Sequence, residues 1–269
     1  MLKGLVWVIY LLPGLPVRPT MRALANRSGR RSSLGLFRAF LRDLLRGADR
    51  AERIRHGFGS EVDGLMTIPD QARLDALLDK GGVFIGLPHL HASMVVGREL
   101  ANRYEVLSLV RLSKNASRAA AQIKLYENVR CELLEVRDAE PTAAARAILK
   151  ALKAGKIVLT TVDRIHAVPE VEYDRARDVV RTNVFDTQIG VSGWPVRFSA
   201  KAGAPMLIGV SPQTSQDVTL VLSDTVIPDD DLVASTQAWM NQLTRMVTEN
   251  PQEWAFSLDK HRARALQVE

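Results

Sequence analysis

The sequence predicts an α/β fold, a mainly parallel central sheet flanked by helices on both faces, with amphipathic helices at the N-terminus. Three observations carry this expectation. Short apolar runs bounded by Gly and Pro alternate with stretches of helical periodicity from residue 83 to residue 162. Such a succession suits parallel strands, which need crossover connections and are buried on both sides. The 269 residues, 46% of them hydrophobic, suffice for a sizeable core, and a charged fraction of 25% is that of an ordinary globular protein. Disordered, collagen-like and low-complexity architectures are thereby excluded.

The elements follow in order. Leu34, Phe37, Leu41, Leu44 and Leu45 recur at helical spacing with arginines between them, an amphipathic helix running towards Arg55. Pro69 opens a short helix through Leu77 and Leu78, and Gly81-Gly82 ends it. Val83–Leu87 is a five-residue apolar run between Gly82 and Pro88, hence a buried strand. Helices are expected over 91–102, 115–126 and 141–152, with strands at 104–110, 131–136 and 157–162 between and after them. The region 167–193 reads as irregular and charged, with a hairpin or lid around 179–185. A helix near 196–202, strands at 206–210 and 218–222, and a long helix from Leu232 to Asn250, stopped by Pro251, complete the chain.

Charge divides the chain in two. Residues 1–55 hold 12 Lys/Arg against 3 Asp/Glu, a surplus of nine, whereas residues 56–269 hold 24 against 27. We therefore treat 1–55 as a basic amphipathic segment belonging to the same unit as the α/β domain of 56–269. Leu2 to Val17 is apolar apart from Lys3, Tyr10 and the turn formers Pro13, Gly14 and Pro16. It is shorter than the roughly 20 residues a spanning helix needs. The arginines follow the apolar run and no small-residue cleavage site is evident, which argues against a cleaved signal peptide. An apolar stub followed by Arg18, Arg22, Arg27, Arg30, Arg31, Arg38, Arg42 and Arg46 reads as an interfacial anchor on an anionic membrane surface. The competing reading is a core helix followed by a solvated basic one. Cys131 is the only cysteine, which excludes internal disulfides and CxxC motifs.

In open α/β sheets, sites form beyond the carboxyl ends of strands. Pro88-His89-Leu90-His91 directly follows the strand 83–87, and a histidine there can serve as a general base. Asp163-Arg164 follows the strand 157–162, and Arg111 follows the strand 106–110, with Asn115 opening the next helix. One rim is thus offered a base, a carboxylate and two guanidinium groups. Each of these could equally be a cap or a surface ion pair, and it is their joint placement that points to a site. His89 and His91 also make an HxH pair, but a zinc site needs a third ligand, and Ala92, Ser93 and Met94 follow. Only a remote group such as Asp163 or His166 could complete it, so no metal is expected and a metal-dependent hydrolase stands as a competing reading. Gly190-Val191-Ser192-Gly193 lacks the spacing of a nucleophile elbow, and no phosphate-binding glycine loop occurs. A nucleic-acid partner would rest on the basic segment alone, and none is expected.

At these residues the chain resembles the lipid A biosynthesis acyltransferases, the lauroyl and myristoyl transferases of the wider lysophospholipid acyltransferase superfamily. The likeness runs over about residues 34–262. Val83-Phe84-Ile85-Gly86-Leu87-Pro88-His89 is similar to the strand leading into that family's histidine, and Val110-Arg111 with Lys114-Asn115 resembles its "YR…N" segment. Leu152-Lys153-Ala154-Gly155 leading to Asp163 resembles its "L-K-x-G … D-Q" block, Ala202-Gly203-Ala204-Pro205 its "TGAP", and Pro251-Gln252-Glu253-Trp254 its "PEQW". The resemblance implies acyl transfer, without cofactor, from acyl-carrier protein or acyl-CoA to a hydroxyl or amine on a lipid-like acceptor. It implies His89 as base, Arg111, Asn115, Arg164, His91 and Met94 about the substrate, and a peripheral place on the cytoplasmic face of the inner membrane. The chain departs from the family at the H-x4-D/E motif, where four residues past His89 stands Met94. Asp163 is our candidate for the missing acid. A non-catalytic relative that binds lipid or carrier protein is the alternative. The acyl slot is expected between the strand ends and the 91–102 helix, including Met94.

Overall fold

The computed structural model describes residues 10–11, 15, 17–163, 178–259 and 266. Two helices open the described chain, α1 (Val17–Arg27) and α2 (Ser33–Arg55). A short strand β1 (Met66–Thr67) and α3 (Gln71–Leu78) follow. Then come β2 (Val83–Leu87), α4 (Ser93–Ala101), β3 (Val106–Val110), α5 (Ala116–Val129), β4 (Glu132–Glu135), α6 (Pro141–Lys153) and β5 (Ile157–Thr161). The hairpin β6 (Val179–Val184) and β7 (Thr187–Ser192) leads to α7 (Trp194–Ala202) and β8 (Met206–Val210). β9 (Val218–Thr219), β10 (Val221–Leu222) and α8 (Leu232–Glu249) complete the set. The fold is α/β, as the alternation predicts.

The central sheet has six strands in the order β10-β8-β2-β5-β3-β4, all neighbours parallel except β10, which runs antiparallel to β8. Every residue of β2 and of β8 is buried, which explains their unbroken apolar composition. α2, α4 and α5 pack on one another, while α6, α7 and α8 form a second group. The strand order accounts for the division: β2 to β3 to β4 moves one way across the sheet and β4 to β5 to β8 moves back, and with the right-handed crossovers general to such sheets the two directions put their helices on opposite faces. Phe84 in the centre of β2 meets the rings of Trp194 and Trp239 at 5.9 and 5.8 Å, fixing α7 and α8 to the sheet.

Local chemistry sets the element ends. Ser32 caps α2 by accepting from the Gly35 N–H at 3.0 Å, and Asp231 caps α8 by accepting from Val233 and Ala234. The apolar run 218–222 does not form one strand. It divides at Leu220, because its first half pairs with β1, which sequence patterning did not anticipate, and its second half with β8.

The inward face of α2 is not the stripe the leucines suggest. Leu36, Phe37, Phe40, Asp43, Gly47, Arg50 and Ile54 are buried, whereas Leu44 and Leu45 face outward. Tyr10 is buried too, its ring 5.7 Å from Phe37 and its hydroxyl 2.5 Å from the Ser33 hydroxyl. Most of the apolar stub of residues 2–17 lies outside the described residues. α1 packs on α2 through Met21 and Leu24, and Arg27 reaches Asp186 in the hairpin turn at 3.0 Å.

Gly47 is where α2 touches the turn that follows β2. A Cβ there would lie 2.2 Å from the His91 carbonyl oxygen and 2.6 Å from its carbon. These are backbone atoms, so the helix must move instead. Gly47→Ala should destabilise the protein by about 1–3 kcal/mol, seen as a lower urea midpoint at unchanged slope.

Candidate active site

The register of β2 and β5 builds the site. Leu87 aligns with Thr161, so two residues further on each strand His89 and Asp163 stand side by side at the carboxyl rim. The chain leaves β2 towards β3 and leaves β5 towards β8, in opposite directions across the sheet. The gap between these two strand ends is therefore a topological switch point, where α/β sheets open a crevice.

His89 Nδ1 lies 2.5 Å from Asp163 Oδ1. The second carboxylate oxygen accepts two N–H groups, the His89 backbone N at 3.1 Å and Trp254 Nε1 at 2.8 Å. Asp163 is only 2% exposed. Burial alone would raise its pKa, but the hydrogen bond and charge of His89 and the Trp254 N–H outweigh it, and the pKa lies below the ordinary aspartate value. The carboxylate is therefore ionised at neutral pH. It accepts a hydrogen bond from the imidazole at Nδ1, which leaves Nε2 as the ring nitrogen not engaged by Asp163. The His89 side chain is 28% exposed, and its ring lies tilted at 39° against that of Phe256, centroids 4.2 Å apart.

The segment after α8 completes this arrangement. Leu90 and Trp254 form an antiparallel bridge, and the Ala255 N–H donates to the His89 carbonyl at 2.7 Å. Residues 254–256 thus run alongside the histidine turn and deliver the indole and the phenyl ring together. Next to the pair lies a narrow apolar pocket. Its wall combines Asp163 and Val162 with Phe185 and Ile189 of the hairpin and Met240 and Leu243 of α8.

The other candidates of the sequence fall elsewhere. His91 does not share the rim. It is 9% exposed beneath α2, its ring edge-on to Phe40 at 4.8 Å, and burial lowers its pKa to about 4. Met94 sits half-buried in the first turn of α4, packed on the core, and does not line the pocket. The pocket itself lies between the hairpin and α8 rather than against the 91–102 helix. Asn115 caps α5, accepting from the Arg118 N–H at 3.1 Å, and is exposed. Arg111 is exposed at the end of β3, with β5 between it and β2. Arg164 lies outside the described residues. Among the described residues no group of three His, Cys, Asp or Glu is placed to hold a metal ion.

Trp254 and Phe256 were not among the sequence candidates. Trp254 stands in the segment that resembles "PEQW", but nothing local to the sequence says that its indole reaches a residue 91 positions earlier. Comparison with family models and with curated proteins returned no match.

Trp254→Phe keeps a ring and removes one N–H from a buried carboxylate. It should lower stability at pH 7 by about 1–3 kcal/mol. Because the Asp163 pKa is depressed, its contribution is present above the unfolded value of 3.8 and is lost as pH falls below it. The difference between the wild type and Trp254→Phe, followed by urea unfolding, should therefore shrink in acid.

Proposed function

We propose that the chain is an acyltransferase, carrying a fatty acyl group from an acyl-carrier-protein or CoA thioester to a hydroxyl or amine of a lipid-like acceptor. The observation that carries this reading is the His89–Asp163 pair, 2.5 Å apart, at a strand-end crevice beside an apolar pocket in whose wall Asp163 itself stands. The space beside Asp163 is about that of one water molecule, so an acyl chain would have to part the hairpin from α8 to lie next to the base.

In this mechanism His89 Nε2 removes the acceptor proton as the acceptor oxygen or nitrogen attacks the thioester carbonyl carbon. The tetrahedral intermediate then re-forms its carbonyl and breaks the C–S bond. The leaving thiolate takes the proton from the imidazolium and departs as a thiol. Asp163 holds the ring in the Nδ1–H tautomer and stabilises the cation between the two steps. The acid that the resemblance seeks four residues past the histidine comes instead from the end of the neighbouring strand. This weighs against the non-catalytic alternative. Arg111 and Arg164 would meet donor or acceptor phosphates.

Among the described residues no helix is long and apolar enough to cross a membrane. The reading places the protein peripherally on the cytoplasmic face of the inner membrane. Exposed Arg18, Arg22, Arg30, Arg31 and Arg42, and the outward Leu44 and Leu45, supply the charge and apolar surface for this.

The test is acyl transfer from radiolabelled acyl-carrier-protein and CoA donors to a membrane lipid extract. His89→Ala and Asp163→Asn should each reduce turnover by about three to four orders of magnitude. The double variant should be little worse than either, because the two act as a unit. Full activity of His89→Ala would end the reading, and additive losses would uncouple the pair. Absence of transfer by the wild type with both donors would favour a binding role. Separately, the protein should pellet with anionic vesicles, less so as salt rises, and not with neutral ones; equal pelleting with both would remove the anionic surface from the reading.

A further inference from the structure

Glu253 immediately precedes Trp254 and is 1% exposed, in the turn Pro251–Glu253 that packs on α2. Its carboxyl lies against that of Asp43 on α2, which is also buried. No well-aligned donor reaches either Glu253 oxygen. Asp43 does have a cation: Arg46 Nη1 donates to its Oδ1 at 3.2 Å, with exposed Arg42 further out. Two adjacent buried carboxyls do not both ionise, and the one without a cation keeps the proton.

Around Glu253 the Gln213 backbone and the Gln252 side chain favour the anion, but less than burial and Asp43 disfavour it. Arg50 is engaged by Gln213 Oε1 at 2.7 Å and the Thr214 carbonyl at 2.9 Å, with Asp217 beside it. Gln213 Nε2 donates to the Asp43 carbonyl at 2.9 Å. His91, from the turn after β2, bonds to the Gln252 backbone and is kept neutral by burial. On α8, Glu249 is exposed and Arg245 pairs with Asp224 at 3.0 Å. Burial first, and then the charge of Asp43, raises the Glu253 pKa to about 9.

We propose that the proton shared by Glu253 and Asp43 is a pH-sensitive latch, which clamps the C-terminal segment to α2 and so keeps Trp254 on Asp163 and Phe256 on His89. When the proton leaves, two buried anions face each other, the turn parts from α2, and the pair loses both supports. Glu253 is a positioning residue in this scheme, acting through its neighbour and touching no reacting atom. The latch does not depend on which reaction the pair performs.

The sign follows from the raised pKa. The contribution of Glu253 to stability is complete below its unfolded value of 4.5 and is lost as pH rises through the folded value of about 9. The experiment compares wild type with Glu253→Gln, which keeps the shape and cannot ionise, from about pH 5 to about pH 10. In urea unfolding the wild type should weaken steadily with pH, and Glu253→Gln should lack that slope. Hydrogen exchange of the 252–257 amides, corrected for intrinsic base catalysis, should rise on the order of tenfold per pH unit of opening in the wild type only. With carboxyl-labelled glutamate in the wild type, one side-chain NMR resonance should remain in the protonated range at neutral pH and titrate in the alkaline range. That measurement stands even if Glu253→Gln does not fold. Parallel stability slopes in the two proteins, equal exchange in both, or ionisation of every glutamate by neutral pH would overturn the latch.

Discussion

The carboxylate of Asp163 is the constraint on which the rest of the site depends. A buried charge carries a desolvation penalty of several kcal/mol unless donors replace the lost water. Here three do so, from two distant parts of the chain: both N–H groups of His89 and the indole of Trp254. Removing any one leaves a buried anion short of a partner. The end of β2, the end of β5 and the segment after α8 are therefore fixed relative to one another by a single group. The imidazole is oriented as a by-product of solving a solvation problem.

The sheet makes that meeting possible. Parallel register puts equivalent positions of neighbouring strands at the same height, so a histidine and an aspartate each two residues beyond an aligned pair meet without further adjustment. The reversal of winding at these two strands keeps helices from closing over the gap. Among the described residues a two-stranded hairpin stands beside it, held to α8 by Gln237, which pairs with Thr182 and both backbone groups of Asn183. The site thus has a rigid floor and a separately attached wall.

Much of this was legible in the sequence, for physical reasons. The strand 83–87 is apolar on both faces and bounded by Gly82 and Pro88, and 157–161 is a short β-branched and apolar run that follows Gly155. Once they were strands, His89 and Asp163 shared a rim. His91 and Met94 misled because proximity along the chain does not survive a turn: Leu90 pairs with Trp254, and the residues beyond it turn under α2. The inward face of α2 departs from the leucine stripe because it includes Asp43 and Arg50, whose burial is satisfied by Arg46 one turn further along the helix and by Gln213 and Glu253 from outside it. Leu44 and Leu45, which look like core, face outward. Trp254 was invisible as a site residue since its partner is set only by tertiary packing.

The distribution of the three contributors along the chain has a consequence for biosynthesis. His89 is made first, Asp163 74 residues later, and Trp254 91 residues after that. A nascent chain that has emerged through β5 already holds the strands that bring histidine and aspartate together, yet lacks the indole and the phenyl ring that support them. Pairings this remote in sequence close slowly, and partly made domains expose surface to aggregation in the meantime. The chain therefore cannot acquire a finished site before residue 256 has emerged: the ordering of the histidine turn waits for a segment made long after it. Any event that stops synthesis before residue 251 leaves an α/β body with an unsupported buried anion at its rim.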